Sequence, residues 1–207
     1  MTTSEARNST VTEWRKARRS ELLSQREAVP EETRRALNET ITAHIVAGFP
    51  QLRDKIIGLY WPIRGEFDPR FAIRHFRGLG ARAALPQVVE KRTPLRFLEW
   101  WPGVELDTSG VYGIPVPVGT QVVTPGALLI PPIGFDAQGY RLGYGGGYFD
   151  RTLASLDPQP LKIGVAFEIS RIETIQPQPH DIPMDFIVTE AGIHRVGPDG
   201  LTRVERG

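Results

Sequence analysis

The sequence predicts an α/β protein: a three-layer, largely parallel sheet with helices on both faces. Three observations carry that prediction. Short apolar runs such as Ile56-Ile57-Gly58-Leu59-Tyr60 and Leu128-Leu129-Ile130 have strand length and end at Trp-Pro or Pro-Pro. Between such runs lie amphipathic stretches whose apolar residues recur four apart, as Leu37, Ile41 and Ile45 do. The two patterns alternate along 207 residues with no internal repeat or low-complexity linker, so one domain over 1–207 is expected. The chain is 40% apolar and 24% charged, which is ordinary for a globular protein. Its 25 Lys+Arg against 24 Asp+Glu leave a net charge of +1, arguing against a dedicated nucleic-acid or membrane-surface protein. With no cysteine there is no disulfide, thiolate zinc site or cysteine nucleophile. No apolar run is long enough to span a membrane or serve as a secretory leader, and a cytoplasmic location is the default expectation.

Residues 1–9 are small and polar and are expected to be disordered. A first helix is expected from Thr10, an N-cap with Glu13 three residues on. It carries an apolar stripe (Trp14, Ala17, Leu22) and a basic cluster of Arg15, Lys16, Arg18 and Arg19. Such a cluster reads either as a solvated face or as a set of cations reaching a bound anion. A second helix over 30–47 opens on Pro30, Glu31 and Glu32, which suit a first turn, and stops at Gly48 and Pro50. His44 beside its stripe reads as structural. The strand over 56–60 runs into Trp61-Pro62-Ile63-Arg64-Gly65-Glu66-Phe67-Asp68. Aromatics and carboxylates just past a strand end are where α/β proteins bind ligands. There an indole can stack on a flat heterocycle and a carboxylate can accept paired hydrogen bonds, although Glu66 alone also reads as a helix-start residue.

A third helix (69–79), strands over 81–86 and 95–100, and a stiff Pro- and Gly-rich loop through Tyr112 to Pro117 follow. The central stretch, 128–153, is a strand stopped by Pro131-Pro132, then a loop with Arg141, Gly143, Gly145, Gly146 and Gly147, then a helix opening at Tyr148-Phe149-Asp150. Strand, glycine loop and helix N-terminus is an arrangement that binds phosphate through backbone amides and the helix dipole. Arg141 can add charge-assisted bonds to phosphate oxygens, and Asp150 can hold a Mg²⁺. Three adjacent glycines by themselves also suit a plain surface turn. The chain ends with strands over 162–167 and 182–189, the second led in by His180-Asp181, and a terminal hairpin or tail over 192–207 around Pro198-Asp199-Gly200.

The string GFDAQGYRLGYGGGYFDR resembles the signature P-G-x-x-F-D-x-x-G-x-R-L-G-x-G-x-G-Y-Y-D-R of the 5-formyltetrahydrofolate cyclo-ligase family, with Phe149 at the second tyrosine. Trp61 to Asp68 is similar to the family's Y-x-P-x-x-x-E-x-D and His180 to Asp185 to its H-D-x-x-x-D. The likeness spans about residues 11 to 190. It implies the cyclo-ligase fold, related to CoA-transferase-like sheets, and ATP- and Mg²⁺-dependent closure of 5-formyltetrahydrofolate to 5,10-methenyltetrahydrofolate, with ADP and phosphate released.

By position, the resemblance assigns catalysis to Arg141 and ATP binding to Arg15, Arg141, Leu142, Gly143, Tyr144, Gly145, Gly146, Gly147, Tyr148 and Phe149. It assigns substrate binding to Trp61, Glu66, Tyr112 and Tyr148, and the metal to Asp150 and Asp181, with Asp185 a weaker metal candidate. Loss of Arg141 is then expected to slow turnover severely and leave the fold intact. The implied partners are ATP and the folate, with or without a polyglutamate tail; no nucleic acid, membrane or obligatory protein partner is implied. Placing the family's Lys-x-x-x-Arg with its arginine at Arg15 puts Val11 where the lysine belongs, and Val116 stands at an acidic position. At Val11, either Lys16, Arg18 or Arg19 substitutes for the lysine from another angle or ATP binding is weakened; the departures also keep open a paralogue activating another formyl or carboxylate compound with ATP, and a non-catalytic nucleotide- or folate-binding protein.

Overall fold

The computed structural model describes residues 3–205, with side chains from Thr10 onward. In chain order it holds α1 (Thr3–Glu27), α2 (Glu31–Gly48), β1 (Ile56–Gly58), α3 (Arg70–Gly78), β2 (Arg82–Gln87), β3 (Arg96–Trp100), β4 (Leu106–Asp107), β5 (Val116–Pro117), β6 (Val122–Val123) and β7 (Ala127–Ile130). Then come β8 (Gly134–Phe135), β9 (Arg141–Leu142), α4 (Tyr148–Ser155), β10 (Leu161–Val165), β11 (Phe186–Thr189), β12 (Gly192–Gly197) and β13 (Gly200–Arg203). A 9-stranded sheet runs β13-β12-β11-β10-β7-β1-β2-β3-β6, and β4-β5 and β8-β9 form small ribbons. The centre, from β11 to β2, is parallel. Both flanks are antiparallel.

Alternation along the strands builds a core on each face. Ala127 and Leu129 of β7 pack with Ile41 and Ile45 of α2 and Ile73 and Phe76 of α3. Leu128 and Ile130 point the other way, into a cluster with Leu153 of α4 and Phe135. Because helices cover both faces, β7 is buried at every residue, as expected of a central parallel strand. A third cluster seats Leu22 and Leu23 of α1 on Ile133, Leu142, Ile172 and Ile175. It holds α1 across the loops that leave the sheet.

Three expectations change. The first helix begins at Thr3, so residues 3–9 are helical rather than disordered and Thr10 is an interior residue, not an N-cap. Extending a nucleated helix gains a hydrogen bond per residue at little cost. Residues 1 and 2 and 206 and 207 lie outside the described residues. The strand expected over 182–189 starts at Phe186. Pro183 has no amide to give, and the Ile182 and Met184 amides are taken by Asp150 Oδ1 at 3.0 Å and the Gly139 carbonyl at 2.9 Å. The β8-β9 ribbon, which aims Arg141, was not anticipated.

Candidate active site

A cavity of about 530 Å³ opens where the chain leaves the carboxyl ends of the parallel strands: Tyr60 and Trp61 follow β1, Gln87 ends β2 and Pro131 follows β7. Arg15, Trp61, Glu66, Tyr112, Asp150, Asp181 and the whole run 141–149 line it, so the structure brings every expected site residue except the weaker metal candidate, Asp185, to one cavity. Leu142 contributes only main chain, since its side chain is buried in the α1 cluster.

The glycine loop explains itself by its backbone. Gly145 and Gly147 have φ of 96° and 64°, a region that costs other residues strain. Gly147 is also the left-handed N-cap of α4, with no side-chain cap. Among the described residues, the amides of Gly143 through Gly147 have no hydrogen-bond partner; the first to be used is that of Arg151, bonded to the Gly147 carbonyl at 3.1 Å. A run of unpaired N–H groups entering a helix N-terminus is an anion cradle.

Cations gather around it. Arg19 donates from Nε to the Gly143 carbonyl at 2.7 Å, and its guanidinium carbon would lie 3.5 Å from a Cβ at Gly145. Arg15 donates to the Ile175 and Gln176 carbonyls at 3.1 and 2.9 Å and ion-pairs with Asp181. Burial first, then repulsion from Arg15, lowers the Arg19 pKa, and Asp181 opposes the shift. Val11, Lys16 and Arg18 do not line the cavity. Of the basic cluster, Arg15 and Arg19, four residues apart, line the cavity.

Both acids are already engaged, which the sequence did not show. Arg141 Nη2 lies 2.9 Å from Asp150 Oδ1 and Nη1 donates to the Ile182 carbonyl at 2.9 Å. Asp181 Oδ2 takes Arg15 and, at 2.7 Å, the Gln178 amide. Asp150 Oδ2 and Asp181 Oδ1 accept no hydrogen bond among the described residues; His180 Nε2 stands 3.8 Å from the latter. Asp185, the weaker metal candidate, is off the cavity and paired with Lys162 Nζ at 2.9 Å. Among the described residues no group of three or more His, Cys, Asp or Glu side chains could hold a metal. Two carboxylates with one open oxygen each do fit Mg²⁺ arriving with a polyphosphate, since that ion takes one or two carboxylates and fills its octahedron with phosphate oxygen and water.

The remaining wall is aromatic. Trp61 meets Trp100 edge-on at 6.5 Å and carries the Arg70 guanidinium 4.5 Å from its ring centre. Tyr112, left-handed at φ 69° and exposed, reaches Tyr148, with the two hydroxyls 3.2 Å apart. Glu66 is buried, with Oε2 on the Ile63 amide at 2.9 Å and Oε1 accepting from the Tyr144 hydroxyl at 2.8 Å. Arg26 donates to Tyr144 Oη at 2.8 Å and lies 3.7 Å from Glu66 Oε1. Burial raises the Glu66 pKa, and the Ile63 amide, Arg26 and Tyr144 oppose the shift. Arg26 was missed in the sequence. The signal was there: residues 15, 19 and 26 fall within 40° of one another on a helix turning about 100° per residue.

A family model described as the 5-formyltetrahydrofolate cyclo-ligase family matches residues 11–190. The chain belongs to the 5-formyltetrahydrofolate cyclo-ligase family. It is similar to the 5-formyltetrahydrofolate cyclo-ligase of Mycoplasma pneumoniae, 28% identical over 84% of this chain and 97% of the relative. The cyclo-ligase of Haemophilus influenzae is 29% identical over 70% and 81%. Among solved structures, the 5,10-methenyltetrahydrofolate synthetase of Aquifex aeolicus superposes with a TM-score of 0.75 at 30% identity, covering 93% of this chain and 96% of that one. The Mycoplasma pneumoniae synthetase gives 0.71 at 26%, covering 85% and 98%. The cyclo-ligase fold is therefore this chain's fold, with a mostly parallel centre.

Proposed function

We propose that this cyclo-ligase family member uses ATP and Mg²⁺ to close 5-formyltetrahydrofolate to 5,10-methenyltetrahydrofolate, releasing ADP and phosphate. The observation that carries the reading is the run of unpaired amides at 143–147, entering α4 in the same cavity as Arg15, Arg19, Arg141 and an aromatic wall. The amides and Arg15, Arg19 and Arg141 bind the triphosphate; Asp150 and Asp181 would hold Mg²⁺, which would supply charge neutralisation at the phosphates. Glu66 and Trp61 orient the pterin, and Tyr112 and Tyr148 flank it.

The chemistry needs no side-chain nucleophile. The formyl oxygen attacks the γ-phosphorus and the bond to the ADP oxygen breaks. N10 then attacks the activated formyl carbon, loses its proton, and the C–O bond breaks to release phosphate. What the protein supplies is alignment and positive charge where the phosphoryl group passes. A cytoplasmic setting, tolerance of a polyglutamate tail and independence from any protein partner belong to the same proposal. The test is a turnover assay of the purified chain with 5-formyltetrahydrofolate, ATP and Mg²⁺, read by methenyl absorbance. Absorbance growth that requires all three is expected; ATP consumption without methenyl product would point to another formyl or carboxylate substrate.

A further inference from the structure

Tyr144 sits within the glycine loop, yet its side chain does not serve that loop. Its hydroxyl donates to Glu66 Oε1 at 2.8 Å and accepts from Arg26 Nη2 at 2.8 Å. Glu66 is held by the Ile63 amide on its other oxygen, and Arg26 reaches the Arg64 carbonyl at 3.1 Å. One tyrosine thus joins the loop with the unpaired amides to the turn 63–66 on the aromatic side. On its nucleotide side, the neighbouring Gly143 carbonyl is gripped by Arg19 of the same helix that carries Arg26.

We infer that Tyr144 is a positioning residue that couples the two halves of the site: ordering the glycine loop around phosphates sets Tyr144, and Tyr144 sets Glu66 for the folate. This rests on the proposed function. The physical reason is shared ordering cost. Gly145 and Gly147, both at positive φ, give the loop freedom that the first ligand must remove, so the second binds to a site already ordered. Coupling of this kind is reciprocal. The hydroxyl also stabilises ionised Glu66, whose charged neighbours are Arg26 from α1 and the titratable Tyr60 and Tyr144.

The test is calorimetric titration of the full chain with Mg²⁺ and a non-hydrolysable ATP analogue, with and without saturating 5-formyltetrahydrofolate. In the native chain the folate is expected to tighten the analogue about five-fold or more. In Tyr144→Phe, which keeps the ring, that ratio is expected to fall to about one, with the folate KM raised more than kcat is lowered. The acid limb of kcat/KM is expected to move to higher pH, because Glu66 loses a donor. Arg26→Lys, which keeps the charge but cannot reproduce the fork, is expected to lower the ratio less, and it serves if Tyr144→Phe does not fold. A Tyr144→Phe protein with the native ratio and an unmoved acid limb overturns the inference, as does a native chain that turns over yet binds its two ligands independently. A native chain that neither binds the analogue nor turns over overturns the proposed function and this inference with it.

Discussion

Arg141 illustrates how a single residue can be legible in type and illegible in duty. The sequence marked it as a phosphate ligand whose loss would spare the fold. In the structure it is buried, donates to the Ile182 carbonyl and neutralises Asp150. Removing it strands a carboxylate that is only partly exposed. Arg141→Ala is therefore expected to lower stability by roughly 2 kcal/mol or more, and turnover by about 10²-fold or more. Thermal unfolding and steady-state rates check both, and an unchanged melting temperature would contradict the first. Glu66 makes the second residue-scale prediction. Burial lifts its pKa above the ordinary 4.5. If Glu66 holds the folate as proposed, the carboxylate that does so is lost as pH falls through that raised pKa, so the acid limb of kcat/KM is expected above 4.5. Glu66→Gln is expected to abolish the limb and lower the plateau. The sign for stability is opposite. A carboxyl with a raised folded pKa binds its proton more tightly folded than unfolded, so its contribution grows as pH falls and fades above that pKa.

Two elements make the site, α1 and the glycine loop into α4. Three arginines on one face of α1 tie down three segments between them: Arg15 the loop 175–181, Arg19 the glycine loop at the Gly143 carbonyl, and Arg26 both that loop at Tyr144 and the Arg64 carbonyl. The basic cluster was visible in the sequence, but which members faced inward was set by where Leu22 and Leu23 dock. The glycine loop was readable because its chemistry is local: unpaired amides and left-handed backbone follow from glycine spacing. Gly145→Ala forces a Cβ onto φ 96° beside Arg19. It is expected to cost roughly 1–2 kcal/mol, about 2–8 °C in melting temperature, and to weaken nucleotide binding about ten-fold. Nucleotide titration alongside a melting curve separates the two.

At the scale of the whole molecule the cavity is walled by α1, the turn after β1, the segment around Tyr112, the glycine loop and the loop before β11. A ligand there fastens segments from far apart in the chain, and binding to the folded state alone adds to global stability. At a hundred-fold excess over Kd a ligand is expected to add about 2.7 kcal/mol, or roughly 5–10 °C in melting temperature for a chain this size. Withholding Mg²⁺ should shrink the shift from ATP and leave that from the folate. A nucleotide shift of the same size in chelator would remove Asp150 and Asp181 from the metal assignment.

The sequence by itself determined the alternation of strands and helices, the covered parallel centre, the glycine loop that runs into a helix over 141–150 and the family. Each depends on spacing along the chain, which is local and survives in one dimension. Tertiary structure alone decided that Arg15 and Arg141 neutralise the two acids and that Arg15 and Arg19 are the members of the basic cluster that face the cavity. It also decided that Tyr144 reaches back to Glu66, 78 residues earlier in the chain. Those partnerships are between buried charges and dipoles. Which pairs form depends on which groups lose water together when the helices dock, and no spacing in the sequence records that.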